Sequence, residues 1–319
     1  MSFLRVENLS KTYQLRKAFG GRSKEQVHAV DNVSFEVQKG ETLGIVGESG
    51  CGKSTLGRTI VRLEEPTSGR IFFDEEELTS KSQSQLRVVR KKIQMIFQDP
   101  YASLNPRRPI GKIVEEPMRV HGIGGEDRRE SALSLLAKVG LDKDAYEKYP
   151  HQFSGGQRQR VVIARALSLN PSLVVADEPV SALDVSIQAQ VLNLFKDLQQ
   201  ELGLTYLFIA HDLGVVRHVS DRIAVMYLGK IVEMADAQSL YLQPAHPYTK
   251  ALLSANPRMD SADTQERIVL KGDIPNPINR PTGCSFHPRC PMAQEKCRSE
   301  EPQLLQISSG AQVACHFAS

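Results

Sequence analysis

The sequence predicts an α/β fold with a mixed sheet core. Apolar runs of strand length alternate with helix-period segments, a glycine-rich string stands between one strand and one helix, and a later strand pattern ends in two adjacent carboxylates. At 319 residues the chain is long enough to bury a large core and carry an appendage. A formal net charge of +3, with no basic stripe, gives no reason to expect a nucleic-acid partner. No run of about 18 apolar residues occurs, and the opening MSFLRVENLSKTY lacks the apolar stretch and cleavage site of a secretory leader. The expectation is a chain that neither spans a membrane nor is exported. Of five cysteines, one lies in the glycine-rich string and four in the last forty residues, a distribution unlike a secreted disulfide framework. A reducing cytoplasm is expected.

Residues 3–9, 33–37 and 42–46 alternate or run apolar between Gly, Asn and Asp and are expected as strands. The Gly-rich basic stretch 15–27 is expected to be a solvated hairpin or loop. Between 101 and 150 the β-branched runs stop. Helices are expected over 110–120 and 128–139, the second with Ala132, Leu135, Leu136 and Val139 on one face. Strand patterns resume at 173–176, 206–209 and 223–227, separated by a helix carrying Ile187, Val191, Leu194, Phe195 and Leu198. Strand, helix, strand implies parallel pairing. The segments are therefore a first core part (1–98), a helical part (99–168), a second core part (169–255) and a separate Pro- and Cys-containing tail (256–319).

Gly47, Glu48, Ser49, Gly50, Cys51, Gly52, Lys53 and Ser54 satisfy the phosphate-loop pattern GxxxxGK[ST], between a strand ending at Val46 and a helix through Thr55, Leu56 and Ile60. The glycines let backbone N–H groups wrap phosphates, the helix N-terminus adds positive potential, Lys53 reaches the terminal phosphates and the Ser54 hydroxyl can ligate Mg²⁺. ATP and Mg²⁺ are the expected ligands. Cys51 is a small spacer whose thiol could make the loop sensitive to alkylation. The strand LVVADE ends in Asp177 and Glu178, which point to opposite sides and so take different jobs. Asp177 suits Mg²⁺ held through water, and Glu178 suits orienting and polarising the attacking water.

FSGGQRQR follows at 153–160 and opens a helix with Val161, Val162, Ala164 and Leu167 inside. With the phosphate loop upstream and LVVADE downstream, this string resembles the signature of ABC ATPases, implying a phosphate-loop cassette with an antiparallel N-terminal strand region and a helical signature subdomain. Such ATPases pair head to tail. The resemblance implies that Ser154, Gly155, Gly156 and Gln157 face the nucleotide of an opposite subunit, which is a related chain or a second copy. It further implies that Tyr13 stacks on adenine, that Gln98 senses Mg²⁺ and the membrane partner, that His211 contacts the γ-phosphate and steadies the base, and that Asp184 crosses the dimer interface. By itself each is an ordinary residue: a rim tyrosine, a turn glutamine, a strand-end histidine.

HPYTKALL at 246–253 and the cysteine tail are similar to the ATP-binding subunits of bacterial dipeptide and oligopeptide importers. The implied partners are two transmembrane permease subunits and, indirectly, an extracytoplasmic peptide-binding protein, at the cytoplasmic face of the inner membrane. Related branches carry nickel or glutathione, and ABC ATPases that act on nucleic acid form a further alternative. Cys284, Cys290, Cys297 and Cys315 can supply four thiolates to a [4Fe-4S] cluster or Zn²⁺, with His287 and His316 as substitutes. Packing thiols without metal are the other reading.

Overall fold

The computed structural model describes residues 2–16, 22–255, 268–273 and 275–318, with the backbone alone at 16 and 22–24. In chain order the first elements are β1 (Leu4–Arg16), β2 (Arg22–Val37), β3 (Thr42–Val46), α1 (Lys53–Ile60), β4 (Ser68–Phe73), β5 (Glu76–Glu77), α2 (Gln83–Lys92) and β6 (Ile93–Ile96). A helical stretch follows as α3 (Pro100–Ser103), α4 (Ile110–Val120), α5 (Arg128–Lys138) and α6 (Gly155–Leu167). Then come β7 (Leu173–Asp177), α7 (Val185–Leu202), β8 (Thr205–Ala210), α8 (Leu213–Val219), β9 (Arg222–Tyr227) and β10 (Lys230–Asp236). The chain closes with α9 (Ala237–Leu242), α10 (Pro247–Ala255), α11 (Glu295–Ser299), β11 (Leu305–Gln306) and β12 (Gln312–Val313).

Two compact units result. The first comprises Met1–Val37, Leu43–Thr79 and Ala210–Ser319 and holds an antiparallel sheet of order β2-β1-β4-β5. It also holds the run β11-β12-β10-β9-β3, parallel only between β9 and β3. All five residues of β3 are buried, which is why its sequence TLGIV runs apolar rather than alternating. The second unit comprises Gln38–Thr42 and Ser80–Ile209. In it β7 pairs in parallel with β6 on one side and β8 on the other, and β7 and β8 are buried along their whole length. The 3.6-residue patterns are answered by α4, α5, α6 and α7, the last burying Val191, Leu194, Phe195 and Leu198.

Of the two forms expected for 15–27, the structure has the hairpin: β1 and β2 pair out to Arg16 opposite Arg22, and residues 17–21 lie outside the described residues. Backbone pairing holds this ribbon together although its composition lacks apolar alternation. The tail differs from expectation in not being separate, since β12 adds to β10 and the segment belongs to the same compact unit as the phosphate loop. Its described ordered elements are two-residue strands and one short helix, too short to leave a periodic trace. Residues 256–267 of the tail lie outside the described residues. Among the described residues no helix is long and apolar enough to cross a membrane.

Candidate active site

In the first unit β3 delivers Gly47 directly into the loop, and α1 begins at Lys53 with Gly52 as its N-cap residue. Gly52 has φ +106°, and an added Cβ would stand 1.9 Å from the Ala29 carbonyl oxygen. Only glycine fits there, so the motif's spelling follows from the close approach of β2. The loop is closed on itself and on β9–β10: Cys51 N–H donates to Glu48 O (3.3 Å), and Gly229 N–H donates to Cys51 O (2.8 Å). Lys53 is buried, and its Nζ donates to the carbonyl oxygens of Gly47 (2.7 Å) and Glu48 (3.0 Å). Those bonds hold the ammonium over the loop. Ser49 and Gly50 are exposed at its crest, with Ser54 and Thr55 half-buried on the first turn of α1. Cys51 is buried beside Lys53, and burial pushes its thiol up, against the thiolate form that alkylation needs.

Glu48 is held from two directions by the C-terminal region. Its N–H donates to the Tyr248 hydroxyl (2.9 Å), and its carboxylate receives both terminal nitrogens of Arg289 (2.7 and 3.0 Å). These partners lie 200 and 241 residues away in the chain, and no local signal in the sequence announces either. HPYTKALL was visible as a string; its reach to the phosphate loop was not. Tyr13 sits on β1 with its hydroxyl donating to Glu64 and the Lys11 ammonium 4.9 Å from its ring centroid. One face of the ring is thereby covered. His211 is exposed and directly precedes α8, whose N-terminus is capped by Asp212.

In the second unit Asp177 ends β7 and is 1% exposed. Glu178 follows with φ +47°, a left-handed conformation costly for a residue with a Cβ, while its N–H still donates to Ile209 O (2.9 Å). The reversal of φ turns its carboxylate away from the direction a continuing strand would give it. Gln98, two residues beyond β6, donates from Nε2 to Glu178 Oε2 (3.0 Å), so two expected site residues 80 positions apart do meet.

Ser154 is the N-cap of α6, in a reciprocal capping box. Gln157 N–H donates to Ser154 Oγ (3.3 Å), and Ser154 N–H donates to Gln157 Oε1 (3.0 Å). A Cβ on Gly156 would stand 2.5 Å from Ile187 Cγ2, and one on Gly155 3.4 Å from Leu183 Cδ2. The paired glycines therefore let the start of α6 lie against the start of α7, where Asp184 is the N-cap residue. Asp184 is exposed, and Val185 beside it is 81% exposed.

The four tail cysteines, with His246, His287 and His316, line one cavity of about 10 Å³, the space of a single water. Burial pushes the Cys284 thiol up to about 11 and raises Cys290. Among the described residues no three His, Cys, Asp or Glu side chains are grouped as a metal-ligand set. His287 Nδ1 and His316 Nε2 donate to the carbonyl oxygens of Cys284 and Glu300 (both 3.0 Å). The thiols converge, but as folded they leave no room for a cluster, and the expectation of iron–sulfur gains no support from the geometry.

A strand–loop–helix with the phosphate-loop spelling, a strand ending in a buried aspartate and a left-handed glutamate, and a capped SGGQ helix are the marks of an ATPase of the ABC class. The family model described as ABC transporter matches residues 30–181, and that described as oligopeptide/dipeptide transporter, C-terminal region, matches residues 232–297. The chain is 53% identical over 322 residues to the oligopeptide transport ATP-binding protein AppF of Bacillus subtilis, covering 100% of this chain and 98% of that one. It is 52% identical over 313 residues to the dipeptide transport ATP-binding protein DppF of Haemophilus influenzae, covering 98% and 95%. Among solved structures it resembles a dimeric ATP-binding cassette in a post-hydrolysis state bound to ADP and Pi, with TM-score 0.66 and 33% identity over 73% of this chain and 98% of that one. The chain belongs to the ABC transporter family, in the branch of oligopeptide and dipeptide transport ATP-binding proteins.

Proposed function

We propose that this ATPase energises the import of dipeptides or oligopeptides across the cytoplasmic membrane. The observation that carries the proposal is end-to-end similarity to peptide-transport ATP-binding proteins, including a tail matched by the oligopeptide/dipeptide transporter region. Nickel and glutathione remain the alternative cargoes, and no feature of the described tail residues favours them. The chain sits peripherally at the cytoplasmic face of the inner membrane on two permease subunits, and a binding protein outside delivers the peptide.

In this reading Tyr13 receives adenine on its open face, and residues 47–55 cradle the phosphates, with Lys53 leaving its loop carbonyls for the terminal phosphates. The Ser54 hydroxyl, Gln98 amide and Asp177 carboxylate are hard oxygen donors of the type Mg²⁺ takes. Bound Mg²⁺ neutralises charge on the phosphate oxygens. Glu178, aimed by its backbone and steadied by Gln98, accepts the proton of the attacking water. His211 orients that base and the γ-phosphate. Ser154, Gly155, Gly156 and Gln157 face the nucleotide of a second ATPase subunit, a related chain or a second copy, and Asp184 crosses to it. The core segments 1–98 and 169–255, the helical segment 99–168 and the extension from 256 onward are the working parts of this reading.

Affinity purification of the chain from solubilised native membranes tests the transport role. Two multi-spanning proteins should co-purify, and the ATPase of the assembly should rise with peptide-loaded binding protein; recovery of ribosomes or DNA-repair factors would overturn the assignment. The tail thiols keep the [4Fe-4S] or Zn²⁺ expectation as a separate proposal, resting on soft donors in one cavity that would have to open. Anaerobic purification with iron and zinc analysis decides it, and sub-stoichiometric amounts of both metals would dispose of it.

A further inference from the structure

A negative charge at the second position of a phosphate loop works against the loop's task, because the ligand brings several negative charges of its own. Glu48 occupies that position, half-buried. Its carboxylate is answered by a single guanidinium, Arg289, whose two terminal nitrogens make parallel bonds of 2.7 and 3.0 Å. Arg289 is 8% exposed and has no freedom to wander. Its N–H donates to Phe286 O (3.0 Å), and its guanidinium carbon lies 5.9 Å from the Tyr227 ring centroid. Tyr227, Tyr248 and Phe286 pack edge-on or tilted with centroids 4.7, 5.2 and 5.4 Å apart, and the His246 ring adjoins Phe286 at 5.6 Å. From that aromatic block the Tyr248 hydroxyl accepts the Glu48 N–H. The C-terminal region therefore holds one loop residue by its main chain and by its charge at once.

We propose that Arg289 is a positioning residue for nucleotide binding: it neutralises Glu48 and, with Tyr248, fixes the entrance of the phosphate loop in the shape that receives ATP. The C-terminal region is on this account a clamp on the nucleotide site. Bidentate pairing matters because a fork fixes the carboxylate's plane as well as its charge. Without Arg289 the Glu48 carboxylate stands unanswered beside the incoming triphosphate. At the distances and effective dielectric of such a loop, this weakens binding about tenfold, and less at high salt. The inference rests on the assignment of residues 47–55 as the ATP site.

The test is isothermal titration of the full chain with the Mg²⁺ complex of a non-hydrolysable ATP analogue, at low and high salt, with a thermal melt of every variant. Arg289→Gln should bind about tenfold more weakly at low salt, with the gap narrowing at high salt. Adding Glu48→Gln to Arg289→Gln should recover most of the loss, which a merely structural role for Arg289 would not allow. Affinity unchanged in Arg289→Gln, or a folded double variant as weak as the single one, would overturn the proposal. Should Arg289→Gln not fold, Arg289→Lys carries the test. It keeps the charge and loses the fork, so a loss within about threefold is expected and a tenfold loss would overturn charge neutralisation. Absence of binding by the wild-type chain would overturn the ATP site itself, and the clamp with it.

Discussion

Glu178 carries two properties that pull in opposite directions. Its carboxylate is the proposed acceptor of the attacking water's proton, and its φ of +47° is one that residues with a side chain adopt at a cost of about 1–3 kcal/mol. Replacing it with Gln removes the base without changing the backbone demand. ATP hydrolysis should fall by about two to four orders of magnitude while nucleotide titration still shows binding; near-normal turnover would contradict the role. Replacing it with Gly relieves the backbone, so thermal or denaturant unfolding should show a gain of about 1 kcal/mol in a chain that no longer turns over ATP. No gain would mean that the surrounding chain imposes no strain there. The contrast separates a residue kept for chemistry from one kept for stability.

At the scale of elements, the start of α10 shows how a legible string becomes a structural device. Buried Glu233 accepts N–H bonds from Ala245 (2.8 Å) and His246 (2.9 Å), and His246 Nδ1 accepts the Tyr248 N–H (3.1 Å). The accepting Nδ1 requires a neutral ring, and burial pushes the His246 pKa down to about 3 from 6.5. Between those values the unfolded chain takes up a proton that the native chain does not. This contribution is intact above about pH 6.5 and lost as pH falls, by at most about 1.4 kcal/mol per pH unit. Glu233 acts with the opposite sign, because burial raises its carboxyl; its protonated form favours the folded state, and that preference fades as pH rises. Comparing denaturant unfolding of wild type and His246→Asn at pH 7 and pH 5 isolates the histidine. The wild type should lose more stability on acidification than the variant, and equal losses would contradict a buried neutral imidazole.

How much of this was legible depends on whether the information is local in the chain. The phosphate loop, LVVADE and FSGGQ are contiguous strings whose chemistry needs neighbouring residues on one turn, and the structure shows why: Gly52 avoids Ala29 O, Gly156 admits Ile187 and Ser154 caps its own helix. The buried parallel strands were legible as unbroken apolar runs for the same reason. At 15–27 the sequence left hairpin and loop open, because the polar distal half of the β1–β2 ribbon is held by backbone pairing rather than by a buried face. The grip of Tyr248 and Arg289 on Glu48 was hidden because the partners are brought together only by the folded first unit. The tail shows the limit of a local pattern: four cysteines close in sequence suggest a metal, and in the structure they line a cavity with room for one water.

On the scale of the whole molecule, the chain has an ATPase's parts and, among the described residues, no helix able to cross a membrane. Its chemistry becomes transport only through partners. Its match with peptide-transport ATP-binding proteins runs from end to end, so the tail that clamps the loop belongs to the same branch as the engine. In the proposed function, ATP cleavage by this chain drives peptide entry. Uptake of a labelled dipeptide by cells whose own copy is replaced by wild type or by Glu178→Gln tests it most directly. Uptake is expected with wild type and none above the deletion background with Glu178→Gln, both proteins being present at equal levels. Undiminished uptake with the Gln variant would contradict it.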